Sequence, residues 1–176
     1  MVPNVSIRIA TSVNHAGWDR SLPAAARIGR LAARRAIRAA LLSAALKEPR
    51  LRTAGRLELG LVLEGDAAMR RLNRIWRGND QATNVLSFAS LDAGPPPRDL
   101  PHACPWALGD VVLALGTIRA EAKAQGKKLA QHYCHLVVHG VLHLLGFDHQ
   151  AGREARLMEG LERATLAGLG WPDPYR

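Results

Sequence analysis

The feature that most constrains the fold of this chain is the segment at positions 139–149, which reads HGVLHLLGFDH. His139 and His143 are four residues apart, so on a helix they lie on the same face with Cβ atoms about 5–6 Å apart. Gly146 can end that helix in the left-handed conformation, which turns the chain back and lets His149 approach the same point from a loop. The segment therefore predicts a helix, a sharp turn and three imidazoles around one centre.

These three imidazoles predict a metal site of the catalytic type. Structural zinc sites usually fill the fourth coordination position with protein, whereas catalytic sites keep it open for water or substrate. Three neutral imidazoles suit Zn²⁺, although nickel, copper and cobalt ions compete for such a ligand set. The expected cofactor is one Zn²⁺ ion held by His139, His143 and His149.

The histidine spacing alone is shared by more than one class of enzyme. Zinc proteases with the pattern H-E-x-x-H-x-x-G-x-x-H use the glutamate as general base. This chain has Gly140 at that position, so a protease of this type would lack its base. Two alternatives stay open: a metalloprotease or other metal-dependent hydrolase with a base from elsewhere, and a non-catalytic RNA-binding or ribosome-binding module with a structural metal.

Residue by residue, the segment at 139–149 resembles the signature of the YbeY family of bacterial endoribonucleases, which act in ribosomal RNA maturation. Further blocks similar to that family follow in the expected order from about Leu57 to the C-terminus. They read LN at 72–73, WRG at 76–78, TNVLSF at 83–88, LGDV at 108–111 and LGWPDPY at 169–175. Trp76 and Phe147 stand where tyrosine is common in the family, and neither is an expected metal ligand.

The resemblance implies a metal-dependent endoribonuclease specific for single-stranded RNA, acting in 16S ribosomal RNA processing and ribosome quality control. It implies ribosomal RNA and the ribosome or its proteins as partners. The expected catalytic residues are Arg77 and His139. Arg77 lies in the block where the family carries a functionally important arginine, so we expect it to bind the scissile phosphate and offset charge in the transition state. The alternative for Arg77 is an ordinary surface arginine.

The expected reaction is cleavage of the phosphodiester backbone. A metal ion would polarise a phosphoryl oxygen or lower the pKa of water toward about 7, while Arg77 holds the phosphate. The attacking group is either water or the 2′-hydroxyl of the RNA, and only the second leaves a cyclic phosphate. The sequence leaves open this choice, the general base and the oligomeric state.

Other polar residues near these motifs have two interpretations each. Thr83, Asn84 and Ser87 either position RNA or cap the edge of a strand. Asp110 lies inside an apolar strand and needs a partner if it is buried. That partner is either a ligand histidine or an arginine. Asp148 either acts beside the metal, as a hydrogen-bond partner or proton acceptor, or caps its own turn. His132 and His135 are left out of the ligand set because three ligands suffice.

Positive charge is concentrated early in the chain. The formal net charge is +9, and ten cations between Arg20 and Arg56 face one acid, Glu48. Four of them recur at helical spacing and are called the arginine stripe here: Arg27, Arg30, Arg34 and Arg38. The expected apolar side of this amphipathic helix carries Ile28, Leu31, Leu42 and Leu46. Because arginine suits phosphate geometry, the stripe is expected to bind RNA; a solvated face and a membrane-surface helix are the alternatives.

The pattern of the whole chain predicts one α+β domain over residues 1–176, with a mixed four-stranded sheet packed against several helices. Strands are expected at 6–10, 56–63, 84–89 and 108–115. Helices are expected from a Ser21 cap to about residue 46, at 65–76, from a Thr117 cap to about 126, at 128–145 and at 153–167, with a proline-rich loop at 94–105. Arginines interrupt the alanine-rich stretch at 22–46, so no membrane span is expected. Cys104 and Cys134, without a secretory signal, are expected as reduced thiols in the cytoplasm, with Cys134 in the core.

Overall fold

The computed structural model describes residues 5–94, 104–149 and 152–176. Its strands are β1 (Ser6–Val13), β2 (Arg56–Glu64), β3 (Val85–Ala89) and β4 (Trp106–Ala114). Its α-helices are α1 (Gly17–Ser21), α2 (Ala25–Leu42), α3 (Asp66–Arg77), α4 (Leu115–Ala124), α5 (Leu129–Leu144) and α6 (Gly152–Ala167). Each of the four expected strands is present. Most of the expected proline-rich loop lies outside the described residues.

The four strands form one mixed sheet in the order β1-β2-β4-β3. β1 and β4 pair with β2 in parallel, whereas β3 runs antiparallel to β4. In the described part of the chain, β3 has no strand on its other side. The expected α+β class with a mixed four-stranded sheet is confirmed, and β3 leaves one open edge.

One face of the sheet packs against α2 and α5. The alternation in β2 places Leu57, Leu61 and Leu63 in the core, where none of them is exposed. α5 is apolar around most of its circumference, as expected for a helix enclosed by other elements. The hydroxyl of its Tyr133 donates a hydrogen bond of 3.0 Å to the carbonyl of Ala25 at the start of α2. The helix that carries the first two histidines is therefore fixed in the core.

α3 covers part of the opposite face of the sheet. Met69 packs there with Leu86, Val112 and Ala114 in a second apolar cluster. The helix ends at Gly78, whose φ of 67° lies in the left-handed region that glycine adopts without strain. Arg77 is therefore the last residue of the helix.

Two expected helix caps are wrong. Ser21 is the last residue of α1, and α2 begins at Ala25 without a side-chain cap. The separate helix α1 carries Trp18, which is fully buried in the core. Thr117 lies inside α4, and its backbone N–H donates 3.0 Å to Oδ1 of Asp66 in α3. A cap supplied by another helix leaves no local pattern in the sequence.

The expected apolar side of α2 is partly wrong. Leu31 and Leu42 are 48% and 56% exposed, and the buried side of the helix consists mostly of alanines. The reason is close packing: a Cβ at Gly29 would collide with the hydroxyl of Tyr133. Small residues let α2 approach α5 and turn the larger leucines outward. The arginine stripe is exposed, as its spacing predicts.

The remaining expectations concern thiols and membranes. Cys104 and Cys134 are both free, and Cys134 is buried. Among the described helices, none combines the length and the apolar composition that crossing a bilayer requires.

Candidate metal centre

The structure brings the three histidines of the motif together at one point. His139 and His143 lie one turn apart on α5, with their Nε2 atoms 3.1 Å from each other. The imidazole of His149 approaches from the following loop, with its ring centroid 5.3 Å from that of His139 and 5.1 Å from that of His143. One potential ligand atom from each residue lies within 4.8 Å of the others.

The turn after α5 positions His149. The backbone N–H of Gly146 donates to the carbonyl of His143, and that of Phe147 donates to the carbonyl of Leu142. Gly146 has a φ of 82°, so these bonds form the Schellman motif that commonly ends a helix with glycine. Phe147 is buried, which fixes the chain two residues before His149.

The three imidazoles fit a metal ion. Two nitrogens bound to one tetrahedral zinc ion at about 2.0–2.1 Å lie about 3.3 Å apart, close to the 3.1 Å between Nε2 of His139 and Nε2 of His143. Burial, together with the neighbouring charges of His139 and His149, lowers the pKa of His143 to about 4. The neutral imidazole, which is the form that binds metals, is therefore favoured at neutral pH.

A buried carboxylate that the sequence analysis missed orients the first ligand. Glu162 of α6 is fully buried, and its Oε1 lies 2.8 Å from Nδ1 of His139. Its Oε2 contacts Nε2 of His135 at 3.4 Å and accepts a hydrogen bond from the hydroxyl of Tyr175. Burial alone would raise the pKa of Glu162, but the hydrogen bonds from His135, His139 and Tyr175 outweigh it and lower the pKa to about 2.

The charged carboxylate decides which nitrogen of His139 carries the proton. Glu162 accepts a hydrogen bond from Nδ1–H, which leaves the lone pair on Nε2 directed at the three-histidine centre. A signal for this residue exists in the sequence. Glu162 falls on the same stripe of α6 as the buried residues Met158, Thr165 and Leu166, where a glutamate needs a specific partner.

His132 and His135 lie outside the three-histidine centre, and each of them contacts a carboxylate. His132 Nε2 is 2.7 Å from Oε2 of Glu121, and His135 contacts Glu162. His135, His139 and Glu162 form a second group whose potential ligand atoms lie within 4.8 Å of one another. The contacts around α5 thus add two histidines with carboxylate neighbours next to the three-histidine centre.

The three histidines open into a cavity of about 940 Å³. Arg77, at the end of α3, lines this cavity, and so does Lys47 from the segment after α2, which the sequence analysis did not single out. His149 is the most open ligand, with 56% of its side chain exposed. A substrate can therefore reach the centre and two cations at the same time. The arginine stripe lies on the exposed side of α2 and is not among the residues that line this cavity.

Thr83, Asn84 and Ser87 also line the cavity, and the last two bond to the protein itself. The amide of Asn84 donates to both carboxylate oxygens of Glu121, at 3.0 and 3.1 Å. The hydroxyl of Ser87 donates 3.1 Å to the carbonyl of Gly140. These contacts tie β3 to α4 and α5.

Gly140 lies at a close approach between α5 and the sheet. A Cβ there would stand 2.7 Å from Cγ1 of Val111 and 3.0 Å from Oγ of Ser87. No larger side chain fits unless the side chains of Val111 and Ser87 shift. The position that carries the general base in the zinc proteases is therefore closed to a glutamate in this fold.

The two aspartates have different surroundings. Asp110 is exposed, so the partner that burial would have required is not needed, and Glu162 rather than Asp110 contacts His139. Asp148 lines the cavity, and its Oδ1 accepts 2.7 Å from the backbone N–H of His149. The same oxygen is 3.7 Å from Nδ1 of His149.

Comparison with known proteins identifies the family. A family model described as Endoribonuclease YbeY matches residues 27–170. The chain belongs to the endoribonuclease YbeY family. A YbeY protein of Paramagnetospirillum magneticum is 52% identical over 172 residues, which cover 97% of each chain. Another, from Azorhizobium caulinodans, is 45% identical over 170 residues and 96% of each chain. The resemblance noted in the sequence is thereby confirmed.

The part of the chain that matches the YbeY model contains the three histidines, Arg77 and Glu162. Tyr175, which bonds to Glu162, lies beyond the matched residues. Among solved structures, the solution structure of TM1509 from Thermotoga maritima is similar, with a TM-score of 0.48 and 16% identity over 93% of this chain and 91% of that one.

Proposed function

We propose that this protein is an endoribonuclease that cuts single-stranded RNA at the centre formed by His139, His143 and His149. The relatives named Endoribonuclease YbeY supply the class of reaction. The observation that carries the proposal is the open cavity in which the three imidazoles face Arg77 and Lys47. Cations beside a metal site suit a phosphodiester substrate. The metal acts as a Lewis acid on the phosphate group, and the cationic side chains bind its negative charge.

The proposal includes the cofactor, the partners and the place of action. One Zn²⁺ ion is the cofactor, since three neutral imidazoles are a ligand set that zinc prefers in catalytic sites. The substrate is ribosomal RNA during maturation, including 16S processing and ribosome quality control, and the partners are the ribosome or its proteins in the cytoplasm. A single domain spanning residues 1–176 performs this function.

The residues of the centre have separate tasks. When bound, the metal ion supplies a Lewis acid for the phosphate group and lowers the pKa of water near it. Glu162 keeps the proton of His139 on Nδ1, and burial keeps His143 neutral. Arg77 holds the scissile phosphate through its planar guanidinium, which matches two phosphate oxygens at once. In this proposal Asp148, which lines the same cavity, accepts a proton.

The arginine stripe has a task outside the cavity. Its side chains are exposed along α2, and the segment after this helix leads to Lys47 in the cavity wall. We propose that the RNA backbone leaves the cavity past Lys47 and follows the stripe. Contacts of this kind supply affinity without sequence preference and weaken steeply with salt.

The test is cleavage of a labelled single-stranded RNA by purified wild type, His143→Ala and Arg77→Glu, with metal content measured on the same samples. Arg71→Glu is the matched control, because Arg71 is an exposed arginine on the same helix that does not line the cavity. We expect wild type and Arg71→Glu to cut. His143→Ala should lose both metal and cleavage, and Arg77→Glu should lose cleavage alone.

Other outcomes would favour the alternatives. Equal cleavage by all variants would identify a contaminating nuclease and refute the proposal. Unfolding of His143→Ala, measured by circular dichroism, would indicate a structural metal in a binding module. Cleavage of an unstructured protein that a chelator abolishes, without cleavage of RNA, would indicate a metalloprotease.

A further inference from the structure

Two large apolar side chains at the end of α3 are exposed to solvent. Ile75 is 69% exposed and Trp76 is 67% exposed. They immediately precede Arg77, which lines the cavity of the three-histidine centre. An exposed tryptophan beside a binding cavity is a common feature of ligand and partner contacts, because its ring offers a large area with few rotatable bonds.

The ring of Trp76 contacts the sheet through Phe88. It meets the ring of Phe88 edge to face, with centroids 5.6 Å apart and planes at 66°. Phe88 is itself packed against the apolar cluster of Met69, Leu86 and Val112. The contact therefore fixes the Trp76 ring beside β3, while two thirds of the residue stays accessible.

Trp76 directly precedes Arg77, which lines the cavity, and it contacts the edge strand β3. Phe88 follows Ser87 on β3, and the hydroxyl of Ser87 bonds to the carbonyl of Gly140 between the two helix histidines. Successive residues of a strand point to opposite faces, so Ser87 faces α5 while Phe88 and Trp76 lie on the α3 side of the sheet. β3 is one of the two edge strands of the described sheet, and Arg77, the last residue of α3, lines the cavity. A phosphate bound at Arg77 therefore has Trp76 as its neighbouring residue along α3.

We propose that Trp76 is a stacking platform for a nucleobase of single-stranded RNA next to the scissile phosphate, an inference that rests on the proposed function. An unpaired base exposes a π face to an aromatic side chain, whereas the bases of a duplex already stack on each other. Trp76 thus contributes to the preference for single strands. Phosphate contacts by Arg77 and Lys47 alone would not distinguish the two forms.

The test compares Trp76→Ala with two other variants. Trp76→Tyr keeps an aromatic face, and Ile75→Ala truncates the exposed aliphatic neighbour. The ligands are a labelled oligoadenylate and an abasic ribose-phosphate strand of the same length and charge. Affinities are measured by fluorescence anisotropy on the metal-loaded protein, with the integrity of each strand checked afterwards on a gel. Circular dichroism melts confirm that each variant is folded.

We expect Trp76→Ala to weaken oligoadenylate binding by about 5- to 150-fold, the range for loss of one stacked base. Its affinity for the abasic strand should stay within about twofold of the wild-type value, because the phosphate contacts remain. Trp76→Tyr should restore most of the binding, and Ile75→Ala should leave it unchanged. In cleavage assays, Trp76→Ala should raise KM more than it lowers kcat.

Three results would overturn the inference. Equal losses on the two strands would show that Trp76 does not contact a base. Equal losses in Trp76→Ala and Ile75→Ala would indicate a general apolar contact. Unchanged RNA binding by Trp76→Ala would show that the exposed ring does not contact the RNA. Failure of the proposed function gives a different pattern, in which the wild type itself neither binds nor cuts the oligoadenylate.

Discussion

Replacing Glu162 with glutamine should weaken metal binding at the three-histidine centre. The carboxylate accepts hydrogen bonds at both oxygens, from His139 on one side and from His135 and Tyr175 on the other. Glutamine has one acceptor and one donor, so its NH₂ group must face a donor on one side. Either His139 moves its proton to Nε2, the nitrogen directed at the centre, or the other contacts lose their acceptor.

Two losses determine the size of the effect: the loss of a hydrogen-bond partner behind a ligand histidine, and the loss of one satisfied buried hydrogen-bonding group. Loss of an outer partner of a ligand histidine typically lowers metal affinity by about 10- to 100-fold, equivalent to about 1.4–2.7 kcal/mol. One unsatisfied buried hydrogen-bonding group lowers the free energy of unfolding by about 1–3 kcal/mol. A domain of this size has about 5–15 kcal/mol available, so Glu162→Gln should remain folded.

Competition with a chromophoric zinc chelator measures the affinity of wild type and Glu162→Gln. The matched control is Glu159→Gln, because Glu159 lies one turn earlier on α6 and forms a surface ion pair with Arg163 at 2.8 Å. The control should bind metal like the wild type. A folded Glu162→Gln with zinc affinity within about twofold of the wild-type value would refute the assignment of Glu162 as the residue that orients His139.

Three further predictions follow from packing, titration and charge. Gly140→Ala should lower the free energy of unfolding in urea by about 1–3 kcal/mol, because its Cβ meets Val111 and Ser87. Gly160→Ala is the control: it should leave that free energy unchanged or raise it, since no heavy atom lies within 4 Å of the added Cβ. Burial raises the pKa of the Cys134 thiol to about 11, so at pH 8 Cys104 should react with a thiol reagent while Cys134 reacts only at higher pH or after unfolding. Arg34→Ala with Arg38→Ala should reduce the salt dependence of single-strand RNA binding, lowering the slope of log K against log salt by about 1.4.

Each of these has a contradicting result. Equal stability of Gly140→Ala and the wild type would show that α5 does not approach the sheet as closely as described. Rapid reaction of two thiols in the native protein at pH 8 would place Cys134 at the surface. An unchanged salt slope would remove the arginine stripe from the RNA path.

The sequence predicted the features that depend on local periodicity. The alternation at 56–63 predicted β2, and the histidine spacing with Gly146 predicted the helix and turn of the centre. The four-stranded sheet followed from the order of strands and helices together with the resemblance to the family. For β2 and for the histidine helix with its turn, the residues that determine the structure lie close together along the chain.

The sequence failed where a contact joins distant elements. Glu162 meets His139 across 23 positions, and Asp66 caps α4 across 51 positions. Leu31 was placed on the buried side of α2, but close packing of alanines against α5 turned it outward. Helical periodicity gives the apolar stripe of an isolated helix, whereas the neighbouring elements decide how that stripe is centred.

The most direct test of the account is reconstitution of the metal-free wild type with measured amounts of Zn²⁺, following cleavage of single-stranded RNA and bound metal in the same samples. The account predicts that cleavage rises with bound metal and saturates at one ion per chain, while folded His143→Ala gains no cleavage at any metal concentration. Metal-free protein that cuts RNA as fast as the loaded protein would contradict it.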